Sequence, residues 1–410
     1  MNTPQATQIE EKPYGWVIVF VGTVSLTLGF GANVTVPVLI QPLEQEFGWL
    51  RAEISLAYTM AAMGLAVGGI LWGGLSDRIG AKKIALFGAI SMSLALMMLS
   101  RQSDLGGIYA LYSVIGGLGF ACMFTPLLAL TGLWFNKRKG LALGIVTAGG
   151  AIGQGIVPHI SGLMIASWGW RDAVFYLGVS YFIILVPLMF LLKTPPVLVG
   201  RPSHMGKLDE NQWGLPHSTT LPWISIAGIF CCICMAAPIV HLVPLAVGIG
   251  FDQEIATSLL LALMISGMFG RIFFGLLADK KGSTFAYFIA SLWQTAIVFL
   301  FVQTGSLVSL YVFAVLFGFG FSGVMTCLII CAREAAPIRL TGLAVSIVMA
   351  AGWVGMGTGG YQAGYFFDLT GNYVVSFGNA AIAGAINLTI LGGLILYRRK
   401  RYLEVRLQSA

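Results

Sequence analysis

The 410 residues are 57% hydrophobic and only 10% charged, with a mean hydropathy of +0.87, a balance that excludes an ordinary soluble globular protein. A bilayer crossing takes about 20 predominantly apolar residues, so the chain is expected to form an all-α membrane protein of roughly a dozen helices with short connections. The net charge of +7 would suggest a nucleic-acid partner for a soluble chain, but here its placement points to membrane orientation instead.

The first dozen residues are polar, carry Glu10, Glu11 and Lys12, and lack a small-residue cleavage site. The first apolar segment is therefore expected to stay in the protein. Apolar runs bounded by charges and turn residues predict spans over 14–40, 52–76, 82–101, 106–134, 140–167, 172–192, 221–247, 255–278, 283–304, 307–332, 340–365 and 373–397. The long connection 193–220 holds Pro195, Pro196, Pro202 and Pro216 among mixed charges. It divides the chain into an N-terminal six-helix half (1–192), a cytoplasmic linker (193–220) and a C-terminal six-helix half (221–410).

With the amino terminus in the cytoplasm, nineteen lysines and arginines fall on that side, including the cluster Arg398-Arg399-Lys400-Arg401. Arg51, Arg101 and Arg171 fall outside, and Arg271 falls within a span. The asymmetry predicts both termini inside. The six cysteines lie in apolar stretches, and Cys231-Cys232-Ile233-Cys234 lacks metal-site spacing, so neither a disulfide framework nor a metal is expected. The Gly149-Gly150-Ala151-Ile152-Gly153 stretch lies inside a span and suits helix packing better than phosphate binding. No nucleophile with its base and no cofactor motif appears, so an enzyme is not expected.

Two patterns recur at one offset. Gly73-Gly74-Leu75-Ser76-Asp77-Arg78-Ile79-Gly80 matches Gly275-Leu276-Leu277-Ala278-Asp279-Lys280-Lys281-Gly282, and Gly140-Leu141-Ala142 matches Gly342-Leu343-Ala344, each displaced by 202 residues. This predicts parallel repeats about an axis along the membrane normal. The run from Gly73 to Lys83 resembles the cytoplasmic loop signature of the major facilitator superfamily, whose second copy here keeps Asp279 and Gly282 but lacks the final basic pair. A carboxylate at a helix end accepts hydrogen bonds from a neighbouring helix N-terminus, so Asp77, Arg78 and Asp279 are expected to latch the halves in the outward-open state.

A narrower resemblance is to the monocarboxylate porters, as a bacterial-type member. It rests on Tyr14-Gly15-Trp16, on Tyr112-Ser113-Val114-Ile115-Gly116-Gly117-Leu118-Gly119, on Trp134-Phe135-Asn136-Lys137-Arg138-Lys139-Gly140-Leu141-Ala142-Leu143-Gly144, and on Gly169-Trp170-Arg171. The resemblance implies a carboxylate-binding arginine in span eight, and Arg271 stands there. The residues lead to the same place independently. No acidic side chain falls in the interior of a span, and Arg271 is the one formal charge there. A buried arginine costs about 2.5 to 3.5 kcal/mol on insertion scales, and a bound anion held by the guanidinium fork offsets that cost. Snorkelling and pairing with a backbone carbonyl are the bland alternatives. Arg271 lies eight residues before Asp279, roughly 12 Å along the helix, about twice what the side chain reaches.

Three family positions differ. Where vertebrate members resemble a pattern with an aspartate before the arginine, a lysine in span one and a glutamate in span eleven, this chain has Gly267, Val36 and Met349. A proton would then travel on the substrate or on a histidine. His241, between Pro238 and Pro244, is the leading histidine and His159 the lesser. Asn33 and Gln154 are expected to line the cavity, because unsatisfied polar groups are costly at that depth; Tyr112, Thr326 and Tyr361 are weaker members of the set.

These expectations describe a monomeric, proton-coupled symporter of small lactate-like monocarboxylates, working by alternating access in a prokaryotic inner membrane without a cofactor. A dicarboxylate exchanger of the oxalate and formate type is the alternative, weakened because 340–365 contains no second cation. A non-transporting membrane sensor is another, weakened by the short tail after Tyr397.

Overall fold

The computed structural model describes residues 13–135, 138–193, 213, 215–337 and 340–408, without the side chains of Asp77, Lys139, Gly140, Thr341 and 402–408. Most of the expected linker, including Pro195, Pro196 and Pro202, lies outside the described residues. Twelve helical segments are long and apolar enough to cross a membrane, as the hydropathy pattern predicts.

In chain order the first crossing is α1 (Tyr14–Asn33) with α2 (Val36–Phe47); the next two are α3 (Arg51–Ile79) and α4 (Ala81–Leu99). The fourth joins α5 (Leu105–Val114), a π turn Ile115–Phe120 and α6 (Ala121–Trp134). The fifth and sixth are α7 (Lys139–Trp168) and α8 (Trp170–Phe190). The last six are α9 (His217–Ile249), α10 (Gln253–Lys281), α11 (Ser283–Val298) with a 3-10 turn, α12 (Leu307–Glu334), α13 (Thr341–Thr370) and α14 (Val374–Gln408).

Four boundaries correct the sequence reading. The first crossing runs on to Phe47, because Glu44 and Glu46 on its polar end are paired with Arg51 and Arg171. The seventh begins at His217, inside the expected linker. The eleventh reaches Thr370, and the twelfth carries the basic cluster as helix to Gln408. Helical backbone satisfies its own polar groups, so it continues past the point where apolar composition ends.

Glycine sets how closely the helices approach. A Cβ on Gly153 of α7 would collide with the Thr27 carbonyl oxygen of α1, and one on Gly318 of α12 with the Leu263 carbonyl oxygen of α10. The break between α1 and α2 precedes Pro37, which lacks an N–H to continue the ladder. There Thr35 Oγ1 bonds the Ala32 carbonyl (2.7 Å) and the Tyr112 hydroxyl (2.8 Å).

We call the face at Tyr14, Trp134, Lys281 and Glu334 near, and the opposite face far. The first six crossings meet the last six along two main seams, α3 with α13 and α7 with α10, and through α2 where it meets α9. Hydrogen bonds between the two sets of crossings concentrate toward the far face. Gln253 Nε2 donates to the Val38 carbonyl (3.1 Å), Thr59 Oγ1 to the Gly357 carbonyl (2.7 Å), and His159 Nδ1 lies 3.1 Å from Thr257 Oγ1. At the near ends Leu141 and Leu343 are each 57% exposed. The bundle is held closed at the far face by those hydrogen bonds.

Candidate functional site

Arg271 lies ten residues before the end of α10, about 15 Å in from the near face. Its Nη1 donates to the Thr147 carbonyl on α7 (3.2 Å), while Nε is buried without a partner. Carbonyl pairing, one of the bland alternatives, therefore accounts for one of the five guanidinium N–H groups. Among the described residues the ion pairs are Arg51 with Glu44 and Arg171 with Glu46, both at the far face, so no carboxylate neutralises Arg271. Gly267 and Gly270 serve helix contact, since a Cβ on either would strike α12 at Ser322 or Phe319.

One turn beyond Thr147, Gly150 lies under the ring of Phe30 from α1, which a Cβ would strike. Gln154 Nε2 returns to the Gly150 carbonyl (3.3 Å), and Asn33 Nδ2 to the Gly29 carbonyl (2.8 Å). Phe30 also meets Phe120 and Phe124 at centroid distances of 4.6 and 5.8 Å, and Trp353 of α13 at 6.3 Å. The geometry is a partly buried cation without a carboxylate partner among the described residues, with an aromatic layer just beyond it toward the closed face.

Of the sequence-selected residues, Arg271, Gln154 and Asn33 follow one another along this α1, α7 and α10 wall. Tyr112 sits farther out on Thr35. Thr326 Oγ1 bonds the Ser322 carbonyl within α12 (3.1 Å), and Tyr361 stacks on Tyr365 on an exposed stretch of α13. His241 is fully buried at the far face. Its Nε2 lies 2.8 Å from the Gly360 carbonyl and 3.3 Å from Ser55 Oγ, and its Nδ1 lies 3.1 Å from the Tyr373 hydroxyl. That arrangement ties α3, α9, α13 and the start of α14 together. Arg78 and Asp279 are exposed at the near face, and the Asp77 side chain lies outside the described residues.

Sequence reasoning missed a second cluster. Asp368 of α13 accepts from the backbone N–H groups of Arg51 (3.0 Å) and Ala52 (2.7 Å), capping the N-terminus of α3. Arg51 in turn donates to Glu44 Oε2 (3.0 Å) and to the Tyr373 hydroxyl (2.9 Å), and its guanidinium lies 3.9 Å over the Phe367 ring. The available signal was a cation at one far loop and a carboxylate at another, more than 300 residues apart. Among the described residues no group of three or more His, Cys, Asp or Glu is placed to hold a metal, and all six cysteines are free and buried.

A twelve-helix bundle with a cation between its two sets of crossings that has no carboxylate partner among the described residues is the frame of a multi-pass membrane transporter. Residues 21–360 match the family model of the Major Facilitator Superfamily, and the chain belongs to that superfamily. It is similar to monocarboxylate transporter 13 of Rattus norvegicus, 28% identical over 405 residues covering 95% of this chain and 90% of that protein. It is also similar to MFS-type transporter 1 of Ophiocordyceps sp. (strain BCC 1869), 26% identical over 339 residues covering 81% and 74%. The fold is that of a solved bacterial homolog to the human lysosomal transporter Spinster in an inward-facing and occupied conformation. The TM-score is 0.78 at 16% identity, covering 96% of this chain and 98% of that one.

Proposed function

We propose that the protein is a secondary transporter of small monocarboxylates, lactate-like acids foremost, with the substrate carboxylate paired to Arg271. The observation that carries this is the partly buried guanidinium with one carbonyl partner, a sealed and unpartnered Nε, and no carboxylate paired with it among the described residues. An anion arriving from the near face supplies the missing acceptors, and a carboxylate matches the guanidinium fork in two parallel hydrogen bonds. The similarity to monocarboxylate transporters supports the same reading.

On this reading the near face is cytoplasmic, and the halves 1–192 and 221–410 rock about the α3/α13 and α7/α10 seams to expose the site alternately. Asp77, Arg78 and Asp279 latch the near face when the far face opens. Asn33 and Gln154 contribute polar lining, with Tyr112 and Thr326 in supporting places behind it, while His241 serves the far-face closure and Tyr361 lies on the outer stretch of α13. The protein works as a monomer in the inner membrane of a bacterial-type cell. A proton accompanies the bound carboxylate across the membrane, so that the cycle is an electroneutral symport.

Uptake of labelled L-lactate into proteoliposomes, with and without an inward proton gradient, tests this. Accumulation that follows the gradient and disappears in folded Arg271→Gln protein is expected. Uptake unchanged by that substitution refutes the anchor, and accumulation indifferent to the gradient refutes symport.

A further inference from the structure

The layer beyond Arg271 bears on which acid fits. Phe30 is enclosed by the π turn, α6, α7 and α13, through Phe120, Phe124, Gly150 and Trp353, so it faces the interior of the bundle and not lipid. Yet Phe30, Phe124 and Trp353 are only partly buried, whereas Phe120 behind them is completely so. An interior ring that keeps exposed surface borders open space.

Trp353 gives a second, independent sign. The indole N–H groups of Trp72, Trp134, Trp170, Trp213, Trp223 and Trp293 are hydrogen-bonded, and among the described residues those left without a partner are Trp16, Trp49 and Trp168 at helix ends and Trp353 within the bundle. That of Trp353 has no partner among the described residues and is not among the sealed, unsatisfied atoms, so it borders the same space. An indole N–H inside a bundle ordinarily finds an acceptor.

Distances along the helices set the order of the layers. Trp353 lies twelve residues into α13 and Thr147 eight into α7, about 18 and 12 Å from the near face. Phe30, sixteen residues into α1, lies about 24 Å in. A carboxylate at Arg271 therefore has the aromatic layer on its far side, where the body of the acid must go.

We infer that the acid bound at Arg271 carries an aromatic or branched apolar body that packs on Phe30 and Trp353, making these two residues determinants of specificity. The inference rests on the carboxylate reading of Arg271. Acetate or unsubstituted lactate leaves the rings against water; an aryl or isobutyl group on the same 2-hydroxy acid covers them. Aromatic pairs add to the gain from area alone, and a substrate hydroxyl can accept from the Trp353 N–H.

The test is displacement binding to purified protein, run once with labelled 3-phenyllactate and once with labelled lactate, each competed by unlabelled phenyllactate, 2-hydroxy-4-methylpentanoate and lactate. Wild type is expected to prefer the two substituted acids over lactate by roughly tenfold or more. Trp353→Ala and Phe30→Leu should each bring that ratio below about threefold while lactate still binds, and Trp353→Phe, which keeps a ring, should preserve most of it. Lactate binding as tightly as the substituted acids, or a ratio that neither substitution moves, overturns the inference and leaves Arg271 standing. If no acid displaces either label, the carboxylate reading falls with it. Melting curves of each variant separate lost preference from lost fold.

Discussion

Replacing Asp368 by alanine should open the far face. The carboxylate accepts from two backbone N–H groups of α3 at 3.0 and 2.7 Å, and these bonds join the last six crossings to the first six, so they exist only while the far ends are together. Removing a helix cap costs about 0.5 to 2 kcal/mol. With two donors left unsatisfied in a partly buried place, roughly 2 kcal/mol is reasonable, which moves a two-state equilibrium about thirtyfold. Met63 of α3 faces Gly357 on the same seam and makes a suitable reporter as Met63→Cys, because the native cysteines are all buried. In proteoliposomes, an impermeant maleimide applied at the far face should label this cysteine at least tenfold faster when Asp368→Ala is added. Asp368→Asn, which keeps one acceptor oxygen, should fall between. Equal labelling rates in all three backgrounds would show that the cap does not hold the face shut.

Arg271→Lys keeps the charge but loses the planar fork, so acid binding should weaken by roughly tenfold or more, as equilibrium displacement will register; unchanged affinity would mean that charge alone suffices. Because Arg271 stands uncompensated in a span, Arg271→Gln is expected to melt at or above the wild-type temperature in substrate-free detergent solution, and a drop of several degrees would show a structural role. Gly318→Leu places a side chain against the Leu263 carbonyl, and thermal melting should report a loss of about 1 to 3 kcal/mol or failure to fold. His241→Phe removes the contacts to Gly360, Ser55 and Tyr373 and is expected to speed far-face labelling of the same Met63→Cys reporter, whereas unaltered labelling would leave the histidine outside the closure.

The twelve crossings and the place of Arg271 are legible from composition alone. Both follow from solvent physics: a bilayer demands about 20 apolar residues per helix and penalises every isolated charge, so each leaves a mark in the local composition. Arg271 was legible for that reason, as were the twelve spans to within a few residues at most ends. Tertiary structure decided which polar residues meet. Asp368 and Arg51 lie more than 300 positions apart, and neither is unusual beside a membrane boundary; only the packing of α13 on α3 turns them into a cap. His241 drew attention as a titratable group between prolines, yet its surroundings are set by three other helices that bring Ser55, Gly360 and Tyr373 to its ring. Phe30 and Trp353 looked like two of many packing aromatics, because an apolar side chain reads the same in a sequence whether it faces lipid, a neighbouring helix or a cavity.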